Sequence, residues 1–402
     1  MKSRQQIVNA FLVLAISTLW LDSVWSQQLK QMVYNGTKLA AAKQAFVERP
    51  DRTSAAVKNL LREADKALDQ KPVTVTSKKQ VPPSGDKRDY MSLAPYWWPD
   101  PTKKDGLPYI RRDGQVNPER FEFKDRELWV TLQSSVTTLA TAYYISNKDD
   151  YAAHAARMLR VWFLDSVTRM NPNMNFSEAV KGRNAGRGAG IIGISQLPTI
   201  LDAVVLIRGS KHWNAADDAG MTSWCKSYLT WLRTSPNGID EQDSPNNHGT
   251  WYDVQLTALC LFTGIPDTAK RILEQAKSFR IASQIQPDGR MPLELERTRG
   301  IGYSSYNLLA MSTLATIASR VGVDLWHYET PDGRSIRKAL DWMVPYYEGA
   351  KKWEYQQISE WDPGEAVAML AIAGSALGGS YAELAAKISK NETALLRAQL
   401  MH

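Results

Sequence analysis

The stretch DDYAAHAARMLRVWFLD, residues 149–165, indicates the fold of this chain. Its apolar side chains Tyr151, Ala155, Met158, Leu159 and Trp162 recur at i, i+4, i+7, i+8 and i+11. That spacing places them on one face of an α-helix. The stretch therefore predicts an amphipathic helix that packs one face against a core.

The same helical period continues through the chain from Asp125 onward. It predicts helices at residues 125–146, 149–165, 193–208, 213–233, 250–263, 267–284, 303–320, 334–346, 362–377 and 380–396. The breaks carry Pro and Gly stop signals, as in residues 236–238, 264–266, 287–289 and 331–333. Alternating β-branched runs do not rise above this background, which argues against a large sheet.

The short connections between these segments predict an all-α fold of antiparallel helix hairpins. Such hairpins can close into an incomplete (α/α) toroid or barrel, or stack as a solenoid. The sequence has no strict period, which disfavours a regular repeat array. We expect one toroidal domain over residues 27–402, with long irregular loops at a cleft.

The first residues have the features of a secretory signal peptide. Lys2 and Arg4 form a positive start, residues 7–20 are mostly apolar, and Ser26 is a small residue at a possible cleavage site. We predict a signal peptide over residues 1–26 and a secreted or periplasmic protein without a stable membrane anchor. An uncleaved anchor is the alternative interpretation.

The composition is that of a globular protein, with 44% hydrophobic and 23% charged residues. The net charge of +7 is spread along the chain, whereas a nucleic-acid-binding protein more often has one dense basic stripe. We therefore expect no nucleic-acid partner, and a polyanionic ligand suits the charge.

Cys225 and Cys260 could form a disulfide or remain two buried thiols. We expect a monomer.

Residues 71–124 do not follow the helical period. They are rich in Pro, Gly and aromatic residues, and the prolines around Tyr96, Trp97 and Trp98 exclude a helix interior. Sugars stack on Trp and Tyr, and an Arg such as Arg111 binds a carboxylate through two parallel hydrogen bonds. The segment is predicted either to contact a ligand or to fill the core with its aromatic side chains.

Two later segments carry the residues most suited to catalysis. The first, SPNNHGTWYD (244–253), contains Asn247 and His248 in a polar turn that enters a helix, although either Asn could be a plain helix cap. No second His or Cys lies at metal-ligand spacing, so we expect no metal and no cofactor. The second segment, ELERTRGIGYSSYN (294–307), contains two Arg and two Tyr. Each of these could instead be a surface or packing residue.

An Asn–His pair with an Arg and a Tyr suits β-elimination from a uronic-acid polymer. The reaction removes the C5 proton, which is barely acidic while the neighbouring carboxylate is charged. An Asn amide and an Arg guanidinium can stabilise the negative charge that develops there. A neutral His or a Tyr phenolate then removes the proton, and a Tyr hydroxyl protonates the departing O4.

Two other functions are compatible with the sequence. A glycoside hydrolase on a similar toroid would use a pair of carboxylates, for which Glu360, Asp362 and Glu365 are candidates. A non-catalytic polysaccharide-binding protein would bind the polymer and leave its length unchanged.

The sequence resembles the alginate lyase superfamily over roughly residues 70–375. The resemblance rests on five strings: YMSLAPYWWPDP (90–101), GLPYIRRDGQVNPE (106–119), GRNAGRGAGII (182–192), NNHGTWY (246–252) and LELERT (293–298). It implies an incomplete (α/α) toroid with a long cleft and a secreted or periplasmic polysaccharide lyase that needs no metal. Relatives with the aromatic–proline string act on glucuronan as well as alginate.

The resemblance also implies roles for individual residues. Asn247 and Arg297 would neutralise the substrate carboxylate, His248 would be a base, and Tyr303 would be the acid or both acid and base. From the residues themselves we also predict a set of substrate-binding side chains: Tyr96, Trp97, Trp98, Arg111, Asn175, Arg187, Arg299 and Tyr306.

One spacing departs from the pattern of the best-known alginate lyases. The step from Arg297 to Tyr303 is six residues, one shorter than that pattern, so Arg299 and Tyr306 remain alternatives. Stereochemistry leaves the choice of base open as well. In mannuronate the C5 proton and O4 lie on the same side, so one Tyr can serve both roles. In guluronate or glucuronate they are anti, which suits His248 as base and Tyr303 as acid.

Overall fold

The computed structural model describes residues 31–402, and the predicted signal peptide lies outside these residues. The chain is dominated by helices, which confirms the all-α prediction. We number the helices α1 (Gly36–Glu48), α2 (Ala55–Ala67), α3 (Asp125–Ser146), α4 (Asp149–Leu159), α5 (Leu197–Ile207), α6 (Ala215–Thr234), α7 (Pro236–Gln242), α8 (Asn247–Phe262), α9 (Pro266–Ala276), α10 (Pro292–Leu295), α11 (Gly300–Ser319), α12 (Ile336–Tyr347), α13 (Gly364–Leu377), α14 (Tyr381–Ile388) and α15 (Glu392–Met401).

Nine of the ten predicted helical segments each contain one main helix close to the expected bounds. Single π-helical turns, Arg160–Leu164 and Lys277–Ala282, extend α4 and α9 to the lengths that their periods indicated. The tenth segment, 380–396, was predicted as one helix and is wrong in that respect. It is two helices, because Ser389 is extended and the Asn391 side chain caps a new helix through the N–H of Ala394.

Two layers of helices build an incomplete α/α toroid, as the sequence predicted. The inner helices α3, α5, α8, α11 and α13 contact one another in that order, and α4, α6, α9, α12 and α14 pack outside them. Inner helices are covered on both sides, so α8 and α11 are buried nearly all round and show no polar face. One continuous hydrophobic core runs from Met32 to Met401. The division into a signal peptide and a single domain stays a prediction.

The two ends of the described chain complete the ring between α13 and α3. Helices α1, α2 and α15 pack together there, and α15 also contacts α13. The segment before α1 is attached to α5 by the buried Asp202, whose carboxylate accepts the backbone N–H groups of Met32, Val33 and Tyr34 at 2.7–2.8 Å. Arg320, at the end of α11, donates to the Tyr34 carbonyl oxygen at 2.7 Å.

The irregular segment before α3 forms two small sheets, one of them with a strand from the connection between α4 and α5. Strand β1 (Met91–Leu93) pairs in parallel with β4 (Phe176–Ala179), and β2 (Trp97–Trp98) pairs antiparallel with β3 (Ile110–Arg111). Asp125, in the first turn of α3, accepts hydrogen bonds from the Met91 N–H at 2.9 Å and from the buried Lys78 ammonium at 2.5 Å. Because this ion pair is fully buried, losing one partner would leave an uncompensated charge.

Two further features bear on the sequence predictions. The helical stretch Gly188–Ile207 is long and apolar enough to cross a membrane by length and composition, and 72% of its most apolar window is buried inside the protein. Burial of that extent is typical of a core helix.

Cys225 and Cys260 are both buried free thiols. Of the two alternatives that the sequence left open, the structure therefore shows two thiols without a disulfide.

The Asp202 carboxylate should be essential to closing the ring. In Asp202→Asn one carboxylate oxygen becomes an amide group that cannot accept from the backbone, so at least one buried N–H loses its partner. We expect the free energy of unfolding to fall by about 2–4 kcal/mol. Chemical denaturation measures this. The exposed Asp69→Asn should change it by less than about 0.5 kcal/mol, and equal effects of the two variants would contradict the assignment.

Candidate active site

The first turn of α8 is fixed by a carboxylate from another part of the chain. Asn246 caps the helix by accepting the N–H of His248 at 3.2 Å. Glu294, in α10, accepts the backbone N–H of Asn247 at 2.7 Å and its side-chain amide through both carboxylate oxygens at 2.9 and 3.0 Å. The start of α8 is thereby joined to the segment that leads into α11.

Glu294 is only 1% exposed, and its ionisation is shifted. Burial raises the pKa of Glu294 to about 7, although the hydrogen bonds from Asn247 and the charge of Arg297 act in the opposite direction. Near neutral pH this carboxyl group can therefore be protonated, and a protonated carboxyl can donate a hydrogen bond as well as accept one.

His248 follows Asn247 and pairs with a second buried carboxylate. Its Nδ1 lies 2.8 Å from Oε1 of Glu241 in α7, whose side chain is 1% exposed, whereas the imidazole is 22% exposed. Burial by itself would lower the pKa of His248, but the charges of Glu241, Glu178 and Glu294 and the hydrogen bond to Glu241 together raise it.

Arg297 is bound by a carboxylate of the irregular segment. Its Nε and Nη2 donate to Asp113 at distances of 2.8–3.2 Å, and the backbone and hydroxyl of Thr298 donate to the same group. Burial would raise the pKa of Asp113, but these hydrogen bonds and the charge of Arg297 outweigh it and lower the pKa to about 2. The guanidinium therefore faces a permanent anion, and only its Nη1 edge makes no hydrogen bond within residues 31–402.

The Arg297 guanidinium also lies directly over the ring of Tyr303, 3.6 Å from its centroid. The Tyr303 hydroxyl donates to the hydroxyl of Tyr96 at 2.9 Å. Burial and the neighbouring Tyr96 raise the pKa of Tyr303, and the charge of Arg297 acts in the opposite direction. At neutral pH in the free protein, Tyr303 is therefore a phenol that can donate a proton.

The aromatic string divides between the two interpretations that the sequence left open. Tyr96 reaches the candidate site through Tyr303. Trp97 instead packs against a small apolar cluster of Ala94, Tyr109 and Val180, with Arg183 and Arg187 over its ring. Trp98 donates its indole N–H to the Gln115 carbonyl oxygen at 3.0 Å, inside the same segment.

The remaining predicted binding residues differ in where the structure places them. Arg111 donates to Asp113 at 2.6 Å and so joins the Arg297 network. Arg187 pairs at 2.6 Å with Glu178, one of the carboxylates that act on His248. Asn175 accepts the indole N–H of Trp231 at 2.8 Å.

The two alternatives to Arg297 and Tyr303 have different surroundings. Arg299 donates to the Gly114 carbonyl oxygen at 2.6 Å and so attaches the irregular segment to the start of α11. Tyr306 packs its ring on Trp251 and points its hydroxyl to Ser195, 3.3 Å away. Arg297 and Tyr303 are thus the Arg and Tyr that contact each other.

Three acidic residues of this site were not identified as site residues from the sequence: Asp113, Glu241 and Glu294. Each belongs to a different segment from the residue that it contacts, so local spacing carries no signal for the pairing. Glu294 and Asp113 do fall inside the strings that carry the family resemblance, and that was the signal available. Glu241 has none, because it appears as one of several polar residues in a turn.

The carboxylates suggested for a hydrolase lie on the surface. Glu360, Asp362 and Glu365 are exposed, and Glu360 pairs with Lys390 at 2.9 Å.

A cavity of about 460 Å³ lined in part by Arg320, Trp326 and His327 lies at the other end of α11. That end lies roughly 24 Å from Tyr303, at 1.5 Å per residue along the helix to Ser319. Within residues 31–402, no three His, Cys, Asp or Glu side chains are grouped to hold a metal ion.

The site combines a histidine, a phenol and a guanidinium at the adjoining ends of two inner helices, next to a segment rich in aromatic residues. These groups can remove a proton, donate a proton and stabilise negative charge. Together with the α/α toroid, they define a polysaccharide lyase.

The sequence matches the alginate lyase family over residues 74–353, and the chain belongs to this family. It is similar to the crystal structure of an alginate lyase from Bacteroides ovatus, with 42% identity, a TM-score of 0.86, and 92% of this chain and 98% of that chain covered. No protein of curated function matches the sequence.

More distant structures share the fold. Alginate lyase A1-III from Sphingomonas species A1 is 18% identical with a TM-score of 0.57, covering 88% of this chain and 89% of that one. A histidine-to-alanine variant of A1-III complexed with a tetrasaccharide gives 17% identity and a TM-score of 0.58 with the same coverage.

The bond between Asp113 and Arg297 should hold the irregular segment on the site. Asp113→Asn removes the anion, so we expect faster amide hydrogen exchange across residues 94–117 and at Thr298, corresponding to about 1–3 kcal/mol of lost protection. The matched control is Asp105→Asn, an exposed residue of the same segment that makes no contact with Arg297. Unchanged exchange in Asp113→Asn would contradict the assignment.

Proposed function

We propose that this lyase cleaves alginate by β-elimination, with His248, Arg297 and Tyr303 acting on the uronate whose O4 departs. The observation that carries the proposal is the contact between Arg297 and the Tyr303 ring, in a segment that Glu294 joins to Asn247 and His248. The substrate is inferred from the family and from the Bacteroides ovatus enzyme, which is an alginate lyase.

The reaction requires the negative charge of the uronate carboxylate to be offset while the C5 proton leaves. In the free protein, two groups suited to that task already bind carboxylates of the protein, Asn247 to Glu294 and Arg297 to Asp113. We infer that Arg297 contacts the substrate through its Nη1 edge.

The proton transfers follow from the states of the two remaining groups. His248, with Nδ1 facing Glu241, can present Nε2 as a base, and protonated Tyr303 can supply the proton that O4 needs. This pair suits guluronate, where the C5 proton and O4 are anti. For mannuronate, where they are syn, Tyr303 would take both roles. Its hydroxyl proton would first pass to a base such as neutral His248, and the phenolate, stabilised by Arg297, would then take the C5 proton and give it to O4.

A hydrolase or a non-catalytic binding protein is not favoured by any finding. The candidate carboxylates of the hydrolase are exposed and make no hydrogen bond to Asn247, His248, Arg297 or Tyr303 within residues 31–402. We further propose a monomer that carries no membrane anchor once the predicted signal peptide is removed. Tyr96 and the cationic Arg111 and Arg187 would contact neighbouring uronates of the polymer.

The proposed reaction creates a C4–C5 double bond conjugated to the carboxylate, which absorbs in the ultraviolet. We expect absorbance to rise with polymannuronate, polyguluronate or both. Glucuronan is tested alongside them, because relatives of similar sequence act on it. Tyr303→Phe should reduce the rate by on the order of 10²- to 10⁴-fold, whereas the distant Tyr328→Phe should retain it. His248→Ala should lose activity on polyguluronate more than on polymannuronate. New reducing ends without absorbance would instead indicate a hydrolase.

We also propose export through the predicted signal peptide over residues 1–26, supported by its charged start and apolar centre. Expression of the full chain in a bacterium, followed by fractionation and intact-mass measurement, tests this. We expect a protein lacking about 26 residues in the periplasm or medium. A full-length protein that stays with the membrane fraction would contradict the proposal.

A further inference from the structure

Glu241 is a buried carboxylate that has no role of its own among the proposed proton transfers. It lies near the end of α7, a short helix that begins at Pro236 and ends just before the segment leading into α8. Its side chain is 1% exposed, and its only hydrogen-bond partner within the described part of the chain is the imidazole of His248. The second oxygen, Oε2, is buried and makes no hydrogen bond there.

A carboxylate in this environment is costly unless it has a specific partner, because burial removes its hydration. A structural carboxylate in a helical protein usually caps a helix or pairs with Lys or Arg. Glu294 and Asp253 illustrate those uses, the first by capping α8 and the second by pairing with Arg280 at 2.8 Å. Glu241 does neither, which indicates that its placement serves His248.

The geometry determines which imidazole nitrogen carries the proton. The 2.8 Å contact joins Nδ1 of His248 to a carboxylate oxygen of Glu241. Burial raises the pKa of Glu241, while the charge of His248 and its hydrogen bond act in the opposite direction. Once ionised, the carboxylate can only accept a hydrogen bond. The proton of the neutral imidazole therefore sits on Nδ1, and the lone pair is on Nε2. Because the side chain of His248 is 22% exposed while that of Glu241 is buried, the accessible part of the imidazole lies away from Glu241.

We propose that Glu241 is a positioning residue for the elimination, which holds His248 in the Nδ1–H tautomer so that Nε2 can accept the C5 proton. This proposal rests on the proposed function for its kinetic consequences but not for the tautomer itself. When Nε2 takes the proton, the imidazole becomes a cation, and the adjacent carboxylate stabilises that charge without itself accepting the proton.

The experiment uses the mature protein labelled with ¹⁵N at histidine. The chain has five His, so a His248→Gln spectrum identifies the signals of His248. At a pH above the raised pKa of His248, we expect in the unmodified protein a proton on Nδ1 and a free lone pair on Nε2, read from the two ¹⁵N shifts. In Glu241→Gln the side-chain amide can donate to Nδ1, so we expect the Nε2–H tautomer to become populated.

Kinetics on polyguluronate then separate positioning from a structural role. For Glu241→Gln we expect kcat to fall on the order of 10²- to 10⁴-fold while KM changes by less than about threefold. Glu241→Asp keeps the charge and should recover part of kcat. Asp243→Asn is the matched control, since this exposed residue at the end of the same helix makes no side-chain hydrogen bond to the described residues, and it should leave kcat unchanged.

Each outcome bears on a separate claim. An Nε2–H tautomer in the unmodified protein, or a Glu241→Gln variant that keeps both tautomer and kcat, would overturn the proposal. A fall in kcat with an unchanged tautomer would also overturn it, because Glu241 would then act only through the fold. If no uronate polymer is cleaved at all, the proposed function fails, while the tautomer measurement still decides whether Glu241 positions His248.

Discussion

The bond between the Glu294 carboxylate and the first residue of α8 is the interaction on which the site depends. It joins the N-terminal ends of two inner helices, because Glu294 lies six residues before Gly300, where α11 begins. The free N–H groups and positive end of α8 favour a carboxylate at this position. Through this one contact, Asn247 and His248 are brought beside Arg297 and Tyr303, which belong to a segment 50 residues further along the chain.

Carboxylates recur as the second member of each functional pair. Glu294 binds Asn247, Glu241 binds His248, and Asp113 binds Arg297. Each fixes a side chain that has several rotatable bonds, so the site is ordered before substrate arrives. The three carboxylates come from α10, α7 and the irregular segment, so correct assembly of the cleft requires that all of these pack correctly against the inner ring.

The toroid provides that packing in two ways. Inner helices buried on both sides form a continuous core that holds their N-terminal ends in a fixed relation. The chain ends then complete the ring, where Asp202 accepts three backbone N–H groups of the segment before α1. The irregular segment lies on this frame through Asp125 at one end and Asp113 at the other. A loop of this length is ordered because charge pairs attach it at both places: Lys78–Asp125 is fully buried, and Arg297–Asp113 is partly buried.

The sequence by itself determined the all-α class, the main helices and the family. These follow from local information: the period of apolar residues in 149–165, Pro and Gly stops, and strings such as YMSLAPYWWPDP. It also indicated Asn247, His248, Arg297 and Tyr303 as a group. Only the tertiary structure decided that Arg297 rather than Arg299 stacks on Tyr303, that Trp97 packs into a small core while Tyr96 reaches the site, and that Glu241 is the partner of His248. The reason is physical. Tyr96 and Trp97 contact residues far away in the sequence, which local patterns do not pair. Arg297–Tyr303 and Glu241–His248 are only six and seven residues apart, but which neighbours contact depends on how the turns between them pack against the inner helices.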